Sequence, residues 1–312
     1  MQRVLTTVTL LGLLVATAAA FAITEHLKLA KSEVLGIRLL PRSKVFSPVC
    51  HCGTNKATVG VTLRHTGHVS VTIVDSDGNR VATIASGVLM QARQPREFPW
   101  DGRTDGGSLA PDGVYHPWIE LPRRKLRLTD NINLDTQPPK VLSAAARKTR
   151  PVLFAGPGRT VAIHYAFDGQ AHAVLYVGRR KITVSHKAQP SDKIKWAGTR
   201  DGRLLPAGRY DLSLGAQDKA GNETPAAQRK HVTVVLRYVQ LTPGAVTVRS
   251  GRRIRVHVET AAKRYAWRLG GRRGTHRGKT LHVRAPTTPG TYRLVVAENG
   301  HATTAVVRVR AK

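Results

Sequence analysis

Acidic residues, cysteines, methionines and aromatic rings are all scarce in this chain. Asp and Glu total 19 against 50 Lys and Arg, a formal charge of +31, which leaves few carboxylates for acid–base pairs or oxygen-lined cation sites. The sequence has no Gly-x-Ser-x-Gly elbow, no His-Glu-x-x-His helix and no Gly-rich phosphate loop opening a helix, and its 13 histidines show no ligand spacing. No acid, base and nucleophile can be nominated together. An enzyme is therefore disfavoured, unless its site is assembled from distant loop residues, and no cofactor, metal or small-molecule substrate is expected. Aromatic residues make up only 5%, too few to stack successive bases, and no RNA-recognition or zinc-finger signature is present, so dedicated nucleic-acid binding is disfavoured too.

The two cysteines are Cys50 and Cys52, on either side of His51. In an exported protein an even count points to a disulfide, and the only bond available within the chain joins residues i and i+2. Plain thiols, redox activity or a bond between chains remain alternatives. A zinc site built on Cys50, His51 and Cys52 lacks the second ligand pair that four-coordination needs.

Only one long apolar run occurs. From Val4 to Ile23 the chain carries no charge, and Arg3 with the α-amine forms a minimal positive start. Twenty residues at ~1.5 Å rise just span a hydrocarbon core of about 30 Å, so residues 1–24 are expected to be a signal anchor. The competing reading is a cleaved signal peptide with small residues at Ala18-Ala19-Ala20 or Ala20-Phe21-Ala22. Both export the remainder. A third reading puts the carboxyl end in the cytoplasm, because Lys28, Lys31 and Arg38 outnumber the charges before the run. No cysteine follows the run closely, which argues against a lipoprotein.

What the sequence does have is repetition. Phe98-Pro99-Trp100-Asp101-Gly102 followed by Pro111-Asp112-Gly113-Val114-Tyr115 returns as Trp196-Ala197-Gly198 followed by Pro206-Ala207-Gly208-Arg209-Tyr210, and Thr288-Pro289-Gly290-Thr291-Tyr292 is a fainter third copy. Such spacing signals a tandem array of small domains. A Trp at a strand end, a turn rich in Asp and Gly and a Pro-x-Gly-x-Tyr entry describe a long hairpin closing one end of a sandwich. If Gly208 takes a positive φ, Gly208→Val disturbs that turn. Strand patterns of period two follow: Val59, Val61 and Leu63; Val69, Val71 and Ile73; Val161, Ile163, Tyr165 and Phe167; Leu212, Leu214 and Ala216, with Asp211, Ser213 and Gly215 between; Ile254, Val256 and Val258; Ala305, Val307 and Val309. No amphipathic helix is apparent after residue 40. The fold class expected is all-β, tandem β-sandwiches after one N-terminal hydrophobic helix. Trp100, Trp196, Tyr115 and Tyr210 are expected in cores rather than on a carbohydrate platform.

The runs Phe98-Pro99-Trp100-Asp101-Gly102 and Pro111-x-Gly113-x-Tyr115 resemble the Ig-like domain of the flagellar hook-capping protein, which also occurs in many secreted or surface proteins of bacteria. The second copy resembles it with Ala197 in place of Asp101. The run from Ala216 to Asn222 is similar to the late turn of bacterial Ig-like repeats, and Asp135-Thr136-Gln137-Pro138-Pro139 to the linker between them. The resemblance covers residues 45–237 well and 238–312 only as a generic sandwich. It implies a fold and a cell-surface setting, not a role in flagella, since one domain type serves many functions. The organisation expected is a linker over 25–44, hook-capping-type domains over 45–137 and 138–237, and a basic sandwich over 238–312.

That last stretch is the most basic. Sixteen Arg and Lys stand there against Glu259 and Glu298. Alternation puts Arg253 and Arg255 opposite Ile254 and Val256, and Arg308 and Arg310 opposite Val307 and Val309, so these four, with Arg272 and Arg273, are the candidate polyanion contacts. A field of this sign attracts envelope polymers, anionic head groups or nucleic acid through salt-sensitive contacts. The alternative is a solvated face that keeps sheet edges unpaired. Asp75-Ser76-Asp77-Gly78-Asn79 reads as a hairpin turn rather than a calcium loop, which would end in a bidentate Glu. The function expected is a non-enzymatic envelope protein displaying Ig-like modules outside the cytoplasm. Its partners would be the membrane through residues 4–23, and anionic envelope polymers or another envelope protein. The alternative is an accessory protein whose third module binds an anionic polymer.

Overall fold

The computed structural model describes residues 10–21, 32–122, 124–149 and 151–311. Residues 10–21 are helical and exposed throughout. Among the described residues no helix is long and apolar enough to cross a membrane. Residues 4–9 and 22–23 of the expected span lie outside the described residues.

The chain forms two compact units, Met1–Thr136 and Gln137–Lys312. In the first, one sheet holds Val34–Leu40, Ala57–Leu63 and Pro95–Trp100 in that order. The other runs Val45–Phe46, Ile132–Leu134, Gly113–Leu121, Gly67–Val74, Arg80–Met90, with Arg124–Arg127 beside Gly113–Leu121. The inward residues Val59, Val61, Leu63, Val69, Val71 and Ile73 are all buried between the sheets. The expected linker over 25–44 fails from Val34 onward, while residues 25–31 lie outside the described residues: Val34–Leu40 pairs antiparallel with Ala57–Leu63, and Val34 and Leu39 pack on the core. This is an edge strand held by backbone bonds on one side only, so its side chains show little of the burial pattern that would mark it in sequence.

The second unit contains two sandwiches with separate cores, one from Val141 to Tyr238 and one from Val239 to Val309. In the first of these a single strand, Val161–Val177, serves both sheets. Its early half pairs with Val141–Ala146 and Gln189–Trp196, and its late half with Arg180–Val184 and Gly208–Gln217. The following sandwich has a three-stranded sheet (Val239–Thr242, Arg253–Thr260, Thr280–Arg284) and a five-stranded one in the order Ala245–Arg249, His301–Arg310, Gly290–Glu298, Arg264–Leu269, Arg272–Arg277. No Pro-containing connector separates the two cores. Tyr238 closes one and Val239 opens the next, and the Tyr238 hydroxyl donates to Leu205 O at 2.7 Å while its ring stacks on His301 at 3.4 Å.

In all three sandwiches a short early strand pairs parallel with the last strand: Val45–Phe46 with Ile132–Leu134, Val152–Phe154 with Lys230–Arg237, and Ala245–Arg249 with His301–Arg310. One expectation fails at the repeated motif. Pro95–Trp100 pairs within one sheet and Gly113–Leu121 within the other, so the segment between them is a crossover, not a hairpin. The same holds for Gln189–Trp196 and Gly208–Gln217. The physical reason is core filling: a hairpin would set Trp and Tyr side by side on one sheet, whereas facing sheets let their rings interdigitate.

The Gly208–Gln217 strand departs from simple alternation. Leu212, Leu214 and Ala216 are buried as expected, but so are Ser213 and Gly215. Tyr176 and Arg229 cover that outer side, with the guanidinium 3.6 Å from the Tyr176 ring and both side chains against Gly215. Tyr176 donates to Glu223 Oε2 at 2.9 Å, and Lys181 meets Glu223 at 2.5 Å. Burial, then the Glu223 carboxylate, push the Tyr176 pKa well above that of a free phenol.

Candidate functional site

The repeated motif is scaffold. Trp100 and Trp196 are 1% and 2% exposed, out of reach of any sugar. Each donates its indole N–H to a carbonyl three residues on, Arg103 O at 2.8 Å and Thr199 O at 2.9 Å, and each meets its tyrosine edge-on, Tyr115 at 5.0 Å and Tyr210 at 5.6 Å. All three motif tyrosines donate back to a carbonyl four residues upstream: Tyr115 to Pro111, Tyr210 to Pro206 and Tyr292 to Thr288. The third copy is therefore a real counterpart even without its Trp. Asp101 accepts from Arg103 N at 3.1 Å and so shapes the turn. Gly102 and Gly198 hold φ of +79° and +76°. Gly208 does not lie in the left-handed region, nor does Gly113, which corrects the expectation for Gly208→Val.

Cys50 and Cys52 are joined by a disulfide, which occupies both thiols. The Asp75 carboxylate accepts from Asp77 N, Asn79 N and the Asn79 amide. The Asn79 side chain is the first cause of its lowered pKa. Asp218 makes the same bonds with Gly221 N, Asn222 N and the Asn222 amide. Both are Asx-capped turns whose oxygens are spent on their own loop.

The charged surface of the third sandwich is where the geometry becomes specific. In the five-stranded sheet, Tyr265 and Leu269 on one strand, Leu294 and Val296 on the next, and Ala305, Val307 and Val309 on the third are buried. Alternation then puts Arg264, Arg268, Arg293, Arg308 and Arg310 on the outer side, and all five are exposed. Register adds Arg273 and Arg277, opposite Arg268 and Arg264, and Arg249, opposite Arg310. Among the described residues none of these arginines pairs with a carboxylate. Glu298 faces inward and is buried, and Glu259 lies on the other sheet beside His257. Like charges directly opposite one another destabilise a sheet, so this face carries a repulsion that no carboxylate among the described residues offsets.

Of the six nominated arginines, only Arg273, Arg308 and Arg310 share this face. Arg253 and Arg255 belong to the three-stranded sheet, opposite Arg284 and His282, on the other side of the sandwich. Arg272 opposes the buried Leu269, so it points to the reverse side of the edge strand from Arg273. Strand pairing adds Arg249, Arg264, Arg268, Arg277 and Arg293 to the face of Arg273, Arg308 and Arg310. The alternation Arg264, Ala266, Arg268 around Tyr265, Trp267 and Leu269 could have found two of them, but which strands are neighbours could not be read.

Glu298 itself yields a pH prediction. Burial raises its carboxyl pKa above the ordinary Glu value, partly offset by the Ala262 backbone N–H, and Thr260 Oγ1 donates to Glu298 Oε2. The folded state therefore keeps the proton to a higher pH than the unfolded state does. Stability is full below the unfolded Glu pKa and declines as pH rises through the raised folded value. Glu298→Gln is expected to remove that decline. Thermal melts should coincide in acid and separate towards neutral pH, with the variant more stable; a variant less stable at neutral pH would show that the carboxylate is needed ionised.

These features define a class: a protein of tandem Ig-like β-sandwiches, modules of a structural or binding kind. Residues 46–118 match the model of the FlgD Ig-like domain family, and the first sandwich is a bacterial Ig-like domain of that type. No curated protein matches the chain. Among solved structures, the I67–I69 fragment of I-band titin aligns with 12% identity and a TM-score of 0.28, over 86% of this chain and 95% of that one. The Bacteroides ovatus mixed-linkage glucan utilization locus SGBP-B, in complex with a mixed-linkage heptasaccharide, aligns with 14% identity and a TM-score of 0.25, over 81% and 64%. A structure from a 1.5-MDa bacterial ice-binding adhesin aligns with 11% identity and a TM-score of 0.29, over 90% and 99%. At these scores none of the three carries an argument about this chain's function.

Proposed function

We propose that this chain is a non-enzymatic protein of the cell envelope, anchored through residues 4–23 with its Ig-like modules outside the cytoplasm, and that its third module associates with an anionic envelope polymer. The single observation that carries the binding role is the outer face of the five-stranded sheet, where opposed arginine pairs stand without a carboxylate partner among the described residues. Guanidinium groups make strong charge-assisted bonds to phosphate and carboxylate, and a field of one sign concentrates polyanions at the surface. The uncharged run from Val4 to Ile23 supports the anchor.

Binding of the full chain to poly(glycerol phosphate) at rising salt tests the role. Affinity is expected to fall log-linearly with salt, with a slope growing by about 0.7 per phosphate neutralised, as for single-stranded nucleic acid. Absence of binding at low salt would leave the arginines as a solvated face that keeps the Arg272–Arg277 edge unpaired. For location, a tag after Lys312 should be digested by protease on intact spheroplasts while the protein stays with carbonate-washed membranes. Protection of the tag would put the charge in the cytoplasm and overturn the reading.

A further inference from the structure

The arginines of the five-stranded sheet are ordered, not merely numerous. Arg264 and Arg277 oppose each other at one end, and Arg268 and Arg273 do so four residues along the same strands. Arg268 opposes Val295 on the next strand, so Arg293, two residues away, is its diagonal neighbour. Arg293 opposes Val306, so Arg308 is diagonal to it in the same sense. Arg310 follows two residues on, opposite Arg249. Diagonal neighbours on one face lie ~7–8 Å apart and alternate residues of one strand ~7 Å apart. The result is a basic track of roughly 35 Å running obliquely across all five strands, its widest step the ~13 Å between the Arg264 and Arg268 rungs.

Two further features narrow the ligand. The track is arginine throughout, and three of its rungs are cross-strand pairs that bring two guanidinium groups to one point. A carboxylate keeps its acceptor sites in one plane, so two guanidinium groups must approach it edge-on in that plane, whereas a tetrahedral phosphate offers anionic oxygens in several directions and accepts readily from both. The sheet's aromatic rings, Tyr265, Trp267 and Tyr292, all pack against the core on the opposite side, so the face offers no ring on which a nucleobase can stack.

We infer that this face is a binding track for a linear polymer of phosphate groups without bases, laid diagonally across the five strands. The inference rests on the polyanion role proposed above and adds the polymer's chemistry and path.

Inorganic polyphosphate, as tripolyphosphate and as a chain long enough to span the track, is titrated against the full protein beside a single-stranded oligonucleotide and polyglutamate of equal charge. Two triple variants remove equal charge, Arg268→Gln/Arg293→Gln/Arg308→Gln on the track and Arg253→Gln/Arg255→Gln/Arg284→Gln on the other sheet. All six positions are exposed, and melting curves check that both variants fold. The expected result is preference for long polyphosphate over the other three ligands. The salt slope should fall by about 0.7 per arginine removed in the track variant and stay unchanged in the other. Equal losses in both variants, or no gain with chain length, would overturn the track while leaving polyanion binding intact. Tighter binding of the oligonucleotide or of polyglutamate would overturn the assigned chemistry. Binding of none of them would overturn the proposed function itself.

Discussion

Trp100→Ala is expected to destabilise the first unit by ~3–5 kcal/mol, the range for removing a large buried aromatic. Trp100 is 1% exposed. Its ring lies 5.3 Å from that of Phe46 and 5.0 Å from that of Tyr115, so truncation opens a cavity at the point where the two sheets meet. It also leaves the Arg103 carbonyl without its indole donor. Against a typical domain stability of about 5–15 kcal/mol, that is a large fraction. Trp196→Ala is expected to act likewise in the second unit, with one ring partner, Tyr210, instead of two. Denaturant unfolding of the full chain reads both. Unchanged stability combined with loss of glycan binding would instead make the ring a ligand platform.

The second large effect separates two glycines of one motif. Gly198 holds φ of +76°, and a Cβ there would sit 2.7 Å from Leu236 Cδ1 and 3.5 Å from Leu153 Cδ2, both core side chains. Gly198→Val therefore combines left-handed backbone strain with overpacking, together roughly 2–5 kcal/mol. Gly208 is not left-handed, and its Cβ would meet only Tyr210 Cε2 at 3.8 Å, an ordinary contact. Gly208→Val is expected to stay within about 0.5 kcal/mol of the parent. Melting temperatures of the two variants decide the matter, and an equal or greater loss at Gly208 would refute the assignment.

Much of the fold was legible because it depends on residue type and local spacing. The inward sets around Val59, Val69 and Ile254 are buried as their alternation predicts, since a side-chain period of two follows from the backbone itself. The motif tyrosines were legible for the same reason, as their hydroxyls bond a carbonyl only four residues back. Val34–Leu40 looks like linker in sequence because an edge strand carries half the burial signal. Ser213 and Gly215 alternate as outward positions in sequence, and nothing local announces that Tyr176 and Arg229 close over them.

The candidate site divides along the same line. By itself the sequence determined that the last module is strongly basic and that Arg308 and Arg310 turn away from its core, because charge and alternation are properties of a single strand. Which arginines stand together was decided only by the tertiary structure. Sheet pairing is made by backbone groups that are alike at every residue, so partner and register emerge only when whole faces are buried. That pairing parted Arg253 and Arg255 from Arg308 and Arg310, and it joined the latter to Arg249, Arg293, Arg268 and Arg264.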